Sequence, residues 1–278
     1  MFEIHAVEQL APKIRWMEIE APRIARYAEA GQFVVLRIHE KGERIPLTIF
    51  KKDADGGTIQ LVFQEVGKTT IELGRQQPGD RLMDLVGPLG TPTRLDDYGT
   101  VVVVSGGVGT PIAYAVAAAM QEKDNHVVCI AGYRNKDMVI LEDDLAEACD
   151  ELIVTTDDGS YKRKGFTTTI LQEEIENGRD IDFVFTVGPV IMMKLVADIT
   201  REHGIKTEAS LNPIMVDGTG MCGACRVCTC DGVQFACVDG PDFDAHDVDF
   251  DELLSRLDEY NEEEREALKR YREQQEAS

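Results

Sequence analysis

The chain has 278 residues, 43% of them apolar, with 29 basic against 51 acidic side chains and a net charge of −22. That length leaves room for two or three domains with ordinary cores. The acidity argues against a nucleic-acid binder, whose hold on phosphate rests on Lys and Arg.

Met1 to Ile14 carries charges and no apolar run, so no secretory segment is expected there. No later stretch is apolar for long enough to span a bilayer, and a cytoplasmic chain is the expectation. Residues 13–20, 32–38, 47–51, 58–64 and 81–86 read as short strands, punctuated by Ala30-Gly31, Lys41-Gly42, Asp55-Gly56-Gly57 and Pro78-Gly79. Strands so spaced suggest a sandwich or barrel.

The texture changes near Tyr98. Residues 100–104 form a β-branched run suited to a strand buried on both faces. Ser105-Gly106-Gly107-Val108-Gly109-Thr110-Pro111 follows, then an alanine-rich helix over 112–120. Strands at 127–131, 152–156, 182–187 and 207–211 then alternate with helices at 141–148, 167–176 and 190–203. Alternation of this kind predicts a parallel sheet wound by βαβ units. The glycine turn could cradle a phosphate at the following helix N-terminus, although its spacing is not the full dinucleotide fingerprint and an ordinary strand–helix turn reads equally well. Gly132-Tyr133-Arg134, Thr156-Asp157-Asp158-Gly159 and Gly188-Pro189 fall at successive strand ends, where such sheets bind ligands.

Beyond residue 210 stands Asp217-Gly-Thr-Gly-Met-Cys222-Gly-Ala-Cys225, with Cys237 twelve residues on. With cysteine in place of Asp217 this is the spacing that holds a plant-type [2Fe–2S] cluster. Cys222, Cys225 and Cys237 supply three thiolates. Spacing makes Asp217 the fourth ligand, whereas the softness of iron–sulfur chemistry favours Cys228 or Cys230. Zinc and disulfides are the bland alternatives. A zinc site usually pairs two knuckles, and the second pair here is Cys228-x-Cys230. A reducing compartment disfavours disulfides. Cys129 and Cys149 read as inert core thiols. No catalytic triad is expected, and the five histidines are scattered. From Asp239 to Ser278 there are 15 acids against 5 bases. Within this tail, residues 248–254 set apolar side chains at helical spacing, read as a partner-facing stripe. Residues 261–278 read as an exposed charged helix.

Three segments carry a family resemblance: Arg44-Ile45-Pro46-Leu47-Thr48, Val104 to Pro111, and Ser210-Leu211-Asn212-Pro213-Ile214-Met215-Val216-Asp217 running on to Gly223. The chain resembles the ferredoxin-reductase superfamily, in particular dihydroorotate dehydrogenase electron-transfer subunits and sulfhydrogenase gamma subunits. It is most similar to the small subunits of NADH-dependent ferredoxin:NADP oxidoreductases, also described as sulfide dehydrogenase beta subunits. The resemblance implies a ferredoxin-reductase-like fold: a β-barrel FAD domain over 1–97, an NAD-binding α/β parallel-sheet domain over 98–210, a [2Fe–2S] module over 211–245 and an acidic helical tail over 246–278. It implies that Thr48, Pro46 and Leu47 line the flavin, Arg44 meets its pyrophosphate, and Gly67, Lys68, Thr69 and Thr70 form a second phosphate loop. A helix cap on Thr69 before Ile71 is the plainer reading of that loop, and both readings are compatible. Leu47 replaces the family's aromatic, and Arg44 stands one residue further from Thr48 than the general motif has it. NAD(H) would lie across Gly106, Gly107, Gly109, Thr110, Pro111, Tyr133, Arg134, Asp157, Gly188 and Pro189, and the cluster on Asp217, Cys222, Cys225 and Cys237. The implied function is electron transfer, with bifurcation, between NAD(H), FAD, the cluster and a larger iron–sulfur flavoprotein that binds NADP(H) and reduces ferredoxin. Electron transfer for dihydroorotate oxidation or sulfur reduction is the alternative with the same cofactors. A zinc-stapled nucleotide-binding regulator is the non-enzymatic one.

Overall fold

The computed structural model describes residues 1–276. Its first part is a seven-stranded antiparallel sheet bent into a nearly closed barrel. The strands are β1 (Phe2–Ala11), β2 (Ile14–Glu20), β3 (Phe33–Arg37), β4 (Ile45–Asp53), β5 (Thr58–Gln64), β6 (Arg81–Leu82) and β7 (Asp84–Leu89), in the order β6-β1-β2-β5-β4-β3-β7. Two short helices, α1 (Pro22–Tyr27) and α2 (Lys68–Leu73), fill its connections. The strand expected over 81–86 is broken at Met83, whose N–H donates to the carbonyls of Arg37 and Ile38. One short segment thereby serves both ends of the sheet, β6 pairing with β1 and β7 with β3. β1 was not anticipated. Ile4 is its one completely enclosed residue, and the strand carries too little apolar alternation to stand out.

The second part follows the βαβ expectation closely. β8 (Thr100–Gly106), α3 (Thr110–Gln121), β9 (His126–Tyr133), α4 (Glu142–Glu147), β10 (Glu151–Thr156), β11 (Arg163–Lys164), α5 (Thr167–Glu176), β12 (Phe183–Val187), α6 (Val190–Glu202) and β13 (Lys206–Ser210) succeed one another. The four valines of β8 are all fully buried, Val101 and Val103 into one core and Val102 and Val104 into another. A two-sided strand needs such a run. α3 buries Ala113, Val116, Ala117 and Met120, one stripe of a helix. Ala11, Ile14, Phe50 and Val62 of the barrel share a core with Val101, Val103 and α3. At roughly 1.5–3 kcal/mol per fully buried large aliphatic or aromatic side chain, that shared core resists separation of the two parts.

The C-terminal segment folds onto both. β14 (Arg226–Thr229) and β15 (Gly232–Phe235) form a hairpin about Cys230-Asp231, and β16 (Asp242–Asp244) pairs antiparallel with β13 at the sheet edge. The full order there is β11-β10-β9-β8-β12-β13-β16. α7 (Phe250–Leu257) follows, then α8 (Asn261–Glu276). The stripe read as partner-facing turns inward instead: Val248, Phe250 and Leu253 are buried in one core with Cys225, Val227 and Cys237. Helical spacing identifies the stripe but not what covers it, and here the chain's own cluster module does. α8 is mostly exposed, as its charge implies, and touches the barrel where Arg75 Nη1 donates to Tyr271 Oη at 3.1 Å. Residues 277 and 278 of the expected charged helix lie outside the described residues.

Candidate functional site

A crevice of about 940 Å³ opens between the barrel and the parallel sheet. The barrel contributes Pro46, Leu47 and Thr48 from β4, and Thr70 from α2. The sheet contributes Gly106, Gly107, Gly109 and Pro111 after β8, Tyr133 and Arg134 after β9, Asp157 after β10, and Gly188 and Pro189 after β12. These are the carboxyl ends of neighbouring parallel strands, brought together as the topology requires. Gly109 has no alternative: a Cβ there would lie 2.6 Å from the Val187 carbonyl oxygen, so only glycine lets the turn close against β12.

Several expected residues stand back from the crevice wall. Thr110 is fully buried beneath it, donating to the Gly107 carbonyl at 2.9 Å and meeting Tyr133 Oη at 3.1 Å. Tyr133 Oη donates in turn to the Ile140 carbonyl at 2.8 Å. Burial pushes this phenol up to about 12, so it works as a fixed hydrogen-bonding group. Gly67, Lys68 and Thr69 lie outside the lining, and the side chains of Lys68 and Thr69 are both held by Glu43, at 3.3 and 2.6 Å. Thr70 Oγ1 accepts from the N–H groups of Val66 and Gly67 at 3.0 Å, so the helix is capped at Gly67 and not at Thr69, where the cap was expected. Arg44 is exposed just before β4, outside the lining, with no hydrogen bond or ion pair among the described residues. Asp157 is raised by partial burial, against the pull of Arg134.

Phe33, Gln64, Phe166, Met192, Asn212 and Pro241 also line the crevice and were not singled out as site residues. Apolar side chains at strand ends read as core, so only Asn212, within the Ser210-Leu211-Asn212-Pro213 segment, carried a usable signal. The crevice suits an elongated ligand with an apolar ring system and anionic groups, being walled by Pro46, Leu47 and Phe33 on one side and glycine turns on the other.

The wall formed by Ser210, Leu211, Asn212, Pro213 and Met215 runs directly into the cysteine loop. There Gly218, Gly220 and Gly223 have φ of +74, +77 and +72°, a left-handed backbone that winds the loop on itself. The winding brings the expected ligands into two pairs, Asp217 with Cys222 and Cys225 with Cys237. The Asp217 carboxylate accepts from Thr219 N at 2.9 Å and contacts the Cys222 thiol, and these hydrogen bonds hold it below its ordinary range. Cys225 and Cys237 are buried side by side, and Cys237 Sγ accepts from Gly220 N at 3.1 Å. Burial, then the neighbouring Cys225, pushes the Cys237 thiol up to about 12. Three thiols, one carboxylate and a backbone N–H aimed at sulfur fit a compact iron–sulfur core. Cys230 belongs elsewhere. It lies past the end of β14, is exposed, and has Asp247, Asp231 and Asp244 as its charged neighbours.

Barrel, ligand crevice at a parallel sheet and cysteine loop together define an oxidoreductase of the ferredoxin-reductase-like class. The family model for the iron–sulfur cluster binding domain of dihydroorotate dehydrogenase B matches residues 212–249. A Thermotoga maritima protein described as a dihydroorotate dehydrogenase B (NAD(+)) electron transfer subunit homolog is 44% identical over 272 residues, 96% of each chain. The electron transfer subunit of Desulforamulus reducens is 33% identical over 255 residues, 88% of this chain and 96% of that one. A solved chain from work on flavin-based electron bifurcation by the NADH-dependent reduced ferredoxin–NADP oxidoreductase superposes with a TM-score of 0.92 at 43% identity, covering 98% of both. A ferredoxin reductase of carbazole 1,9a-dioxygenase shares the fold alone, at 18% identity, a TM-score of 0.62 and coverage of 73% of this chain and 65% of that one. The chain belongs to the family of dihydroorotate dehydrogenase B electron transfer subunits and their homologues. It is an electron-transfer subunit of an oxidoreductase, of a kind that serves a catalytic partner subunit, and the zinc-stapled regulator falls as a reading. No helix among the described residues is long and apolar enough to cross a membrane.

Proposed function

We propose that the chain is the small, NADH-side subunit of a bifurcating NADH-dependent ferredoxin:NADP oxidoreductase. It binds FAD, NAD(H) and a [2Fe–2S] cluster, and is paired with a larger iron–sulfur flavoprotein that binds NADP(H) and reduces ferredoxin. The observation that carries this is Phe33. It lines the crevice and belongs to the same core as Cys225 and Cys237, so the two cofactor sites share one rigid wall. The 43% identity and 98% mutual coverage with the bifurcating relative favour this partner type.

FAD, when bound, supplies the exchange between two-electron hydride chemistry and one-electron transfer. The protein's task is to bind and orient. Pro46 and Leu47 hold the ring system, and the Thr48 hydroxyl offers it a hydrogen bond. Arg44, without a partner among the described residues, and the amides of Gly67 to Thr70 take the phosphates. Gly106 to Pro111 and Gly188-Pro189 admit the nicotinamide nucleotide, Tyr133 keeps their floor rigid, and Arg134 and Asp157 meet its outer half. Asp217, Cys222, Cys225 and Cys237 would hold the cluster, which supplies one-electron transfer when bound. The domain division is 1–97, 98–210 and 211–245, with β16 and α7 binding the last to the rest.

The 33% identical Desulforamulus reducens relative favours a second reading, in which the partner oxidises dihydroorotate. Anaerobic co-purification of the full chain with its native partner, with flavin, iron and sulfide analysis, separates the two. Ferredoxin- and NADPH-linked turnover supports the first reading, and dihydroorotate-linked turnover overturns it. A colourless preparation without flavin or iron overturns both.

A further inference from the structure

The cluster loop is held from outside by a residue that no motif marks. Arg256, in the last turn of α7, sends Nη2 to the Ala224 carbonyl oxygen at 3.0 Å. Ala224 is the residue between Gly223 and Cys225, within the short span from Cys222 to Cys225. The Arg256 side chain is only 16% exposed, and its Nη1 is buried without a hydrogen-bond partner. Among the described residues its one carboxylate partner is Glu252 Oε1 at 3.7 Å, and Glu252 Oε2 is itself buried without a hydrogen-bond partner there. A guanidinium stays protonated in any protein setting, and a buried cation so weakly paired is costly without further negative charge nearby. The helix that carries it is anchored in the core of the cluster ligands, through Phe250 and Leu253 beside Cys225 and Cys237. Its start is fixed as well, because Asp249 Oδ1 caps it by accepting from Glu252 N at 3.0 Å.

We propose that Arg256 is the positioning residue of the cluster loop: it fixes the Ala224 carbonyl between two cluster ligands and sets a permanent positive charge beside the cluster, raising its reduction potential. The inference rests on the cluster reading of Asp217, Cys222, Cys225 and Cys237. A one-electron reduction adds negative charge to the cluster, and a fixed cation nearby favours the reduced form. Glu252, bearing the opposite charge on the same side, acts in the opposite sense.

The test is a redox titration of the full chain in complex with its partner, followed by electron paramagnetic resonance, for wild type, Arg256→Gln, Arg256→Lys and Glu252→Gln. Iron and acid-labile sulfide are counted for each. Arg256→Gln should lower the potential, cutting the reduced-to-oxidised ratio at the wild-type midpoint on the order of tenfold, equivalent to about 59 mV. Its signal should broaden as the loop loosens. Arg256→Lys, which keeps the charge, should restore most of the potential, and Glu252→Gln should raise it. Loss of iron from Arg256→Gln with retention in Arg256→Lys also supports the role. An unchanged potential in Arg256→Gln, shifts of the same sign for Arg256→Gln and Glu252→Gln, or equal loss of iron from both arginine variants overturns it while leaving the cluster reading intact. A wild-type chain without iron overturns the cluster reading and this inference together.

Discussion

Lys51 on barrel strand β4 reaches Asp144 on helix α4 of the parallel-sheet domain, Nζ to Oδ1 at 2.5 Å. The same ammonium lies over the rings of Phe50 and Tyr114, 5.0 and 4.6 Å from their centroids. One side chain thus ties the barrel to the sheet by charge and by cation–π attraction. Both ionic partners are about a third exposed, so solvent screening limits the pair. Asp144→Asn should cost at most about 1 kcal/mol, a fall of about 2 °C in Tm. Lys51→Ala, which also strips the rings of their cation, should cost more. Equal shifts by scanning fluorimetry would show that the rings contribute nothing.

Thr48 lines the crevice from β4 and is proposed to hydrogen-bond the flavin. Thr48→Val keeps the shape and removes the hydroxyl. Flavin should bind about tenfold more weakly, the worth of one ordinary hydrogen bond. Full FAD occupancy with unchanged reduction by NADH in the variant would sink the assignment.

Asp157 and Arg134 stand together at the sheet side of the crevice. A carboxylate there repels a 2′-phosphate, so NADH should be preferred to NADPH. Asp157→Ser should raise the NADPH-to-NADH ratio of kcat/KM about tenfold, one well-placed charge being worth that much. Steady-state kinetics with both nucleotides decide it, and a wild-type preference for NADPH contradicts the assignment.

Asp217 contacts Cys222, whereas Cys230 keeps company with Asp247. Asp217→Ala should therefore disturb the cluster's paramagnetic resonance spectrum, and the pair Cys228→Ser with Cys230→Ser should leave it native. The reverse outcome would mean that a thiol, not the carboxylate, completes the ligand set.

Glu208 on β13 faces Asp244 of β16 in register, with Asp242 two residues away. Burial, then the Asp242 charge, raises Glu208 from 4.5 to about 7, and burial raises Asp242 from 3.8 to about 6. The folded state therefore binds more protons than the unfolded chain between about pH 4 and 7, and stability falls as pH rises through that window. Above it the penalty is complete. Glu208→Gln should be more stable than wild type at pH 8, by on the order of 2 kcal/mol, and lose that advantage toward pH 4. Urea unfolding at the two pH values checks the sign.

The parallel domain was legible because its signals are local: a run of valines, a glycine turn, a stripe of Ala113, Val116, Ala117 and Met120. The cluster loop was legible because three glycines and three cysteines at fixed spacing have few other uses. β1 escaped because its exposed residues, His5, Glu8 and Gln9, follow no period of two among its half-buried ones, so no strand pattern marks it. The direction of the apolar stripe at 248–254 escaped for a different reason. Periodicity tells which residues share a helix face, but not which surface meets it, and that depends on contacts between residues far apart in sequence. Arg256 and Lys51 belong to the same category: each acts on a carbonyl, ring or carboxylate that chain order does not put beside it.

Strand β16 returns to the parallel sheet after the cysteine loop has been made, lying antiparallel along β13. The loop is thus a detour spliced into a sheet, not a bead added to its end. A chimera cut after Ser210 to exchange the redox unit would leave β13 with a bare edge, open to pairing with another molecule. An exchange that respects this construction keeps residues 242–257 from the host and replaces only what lies between Asp217 and Cys237, so the transplantable unit is shorter than the domain that a family comparison outlines.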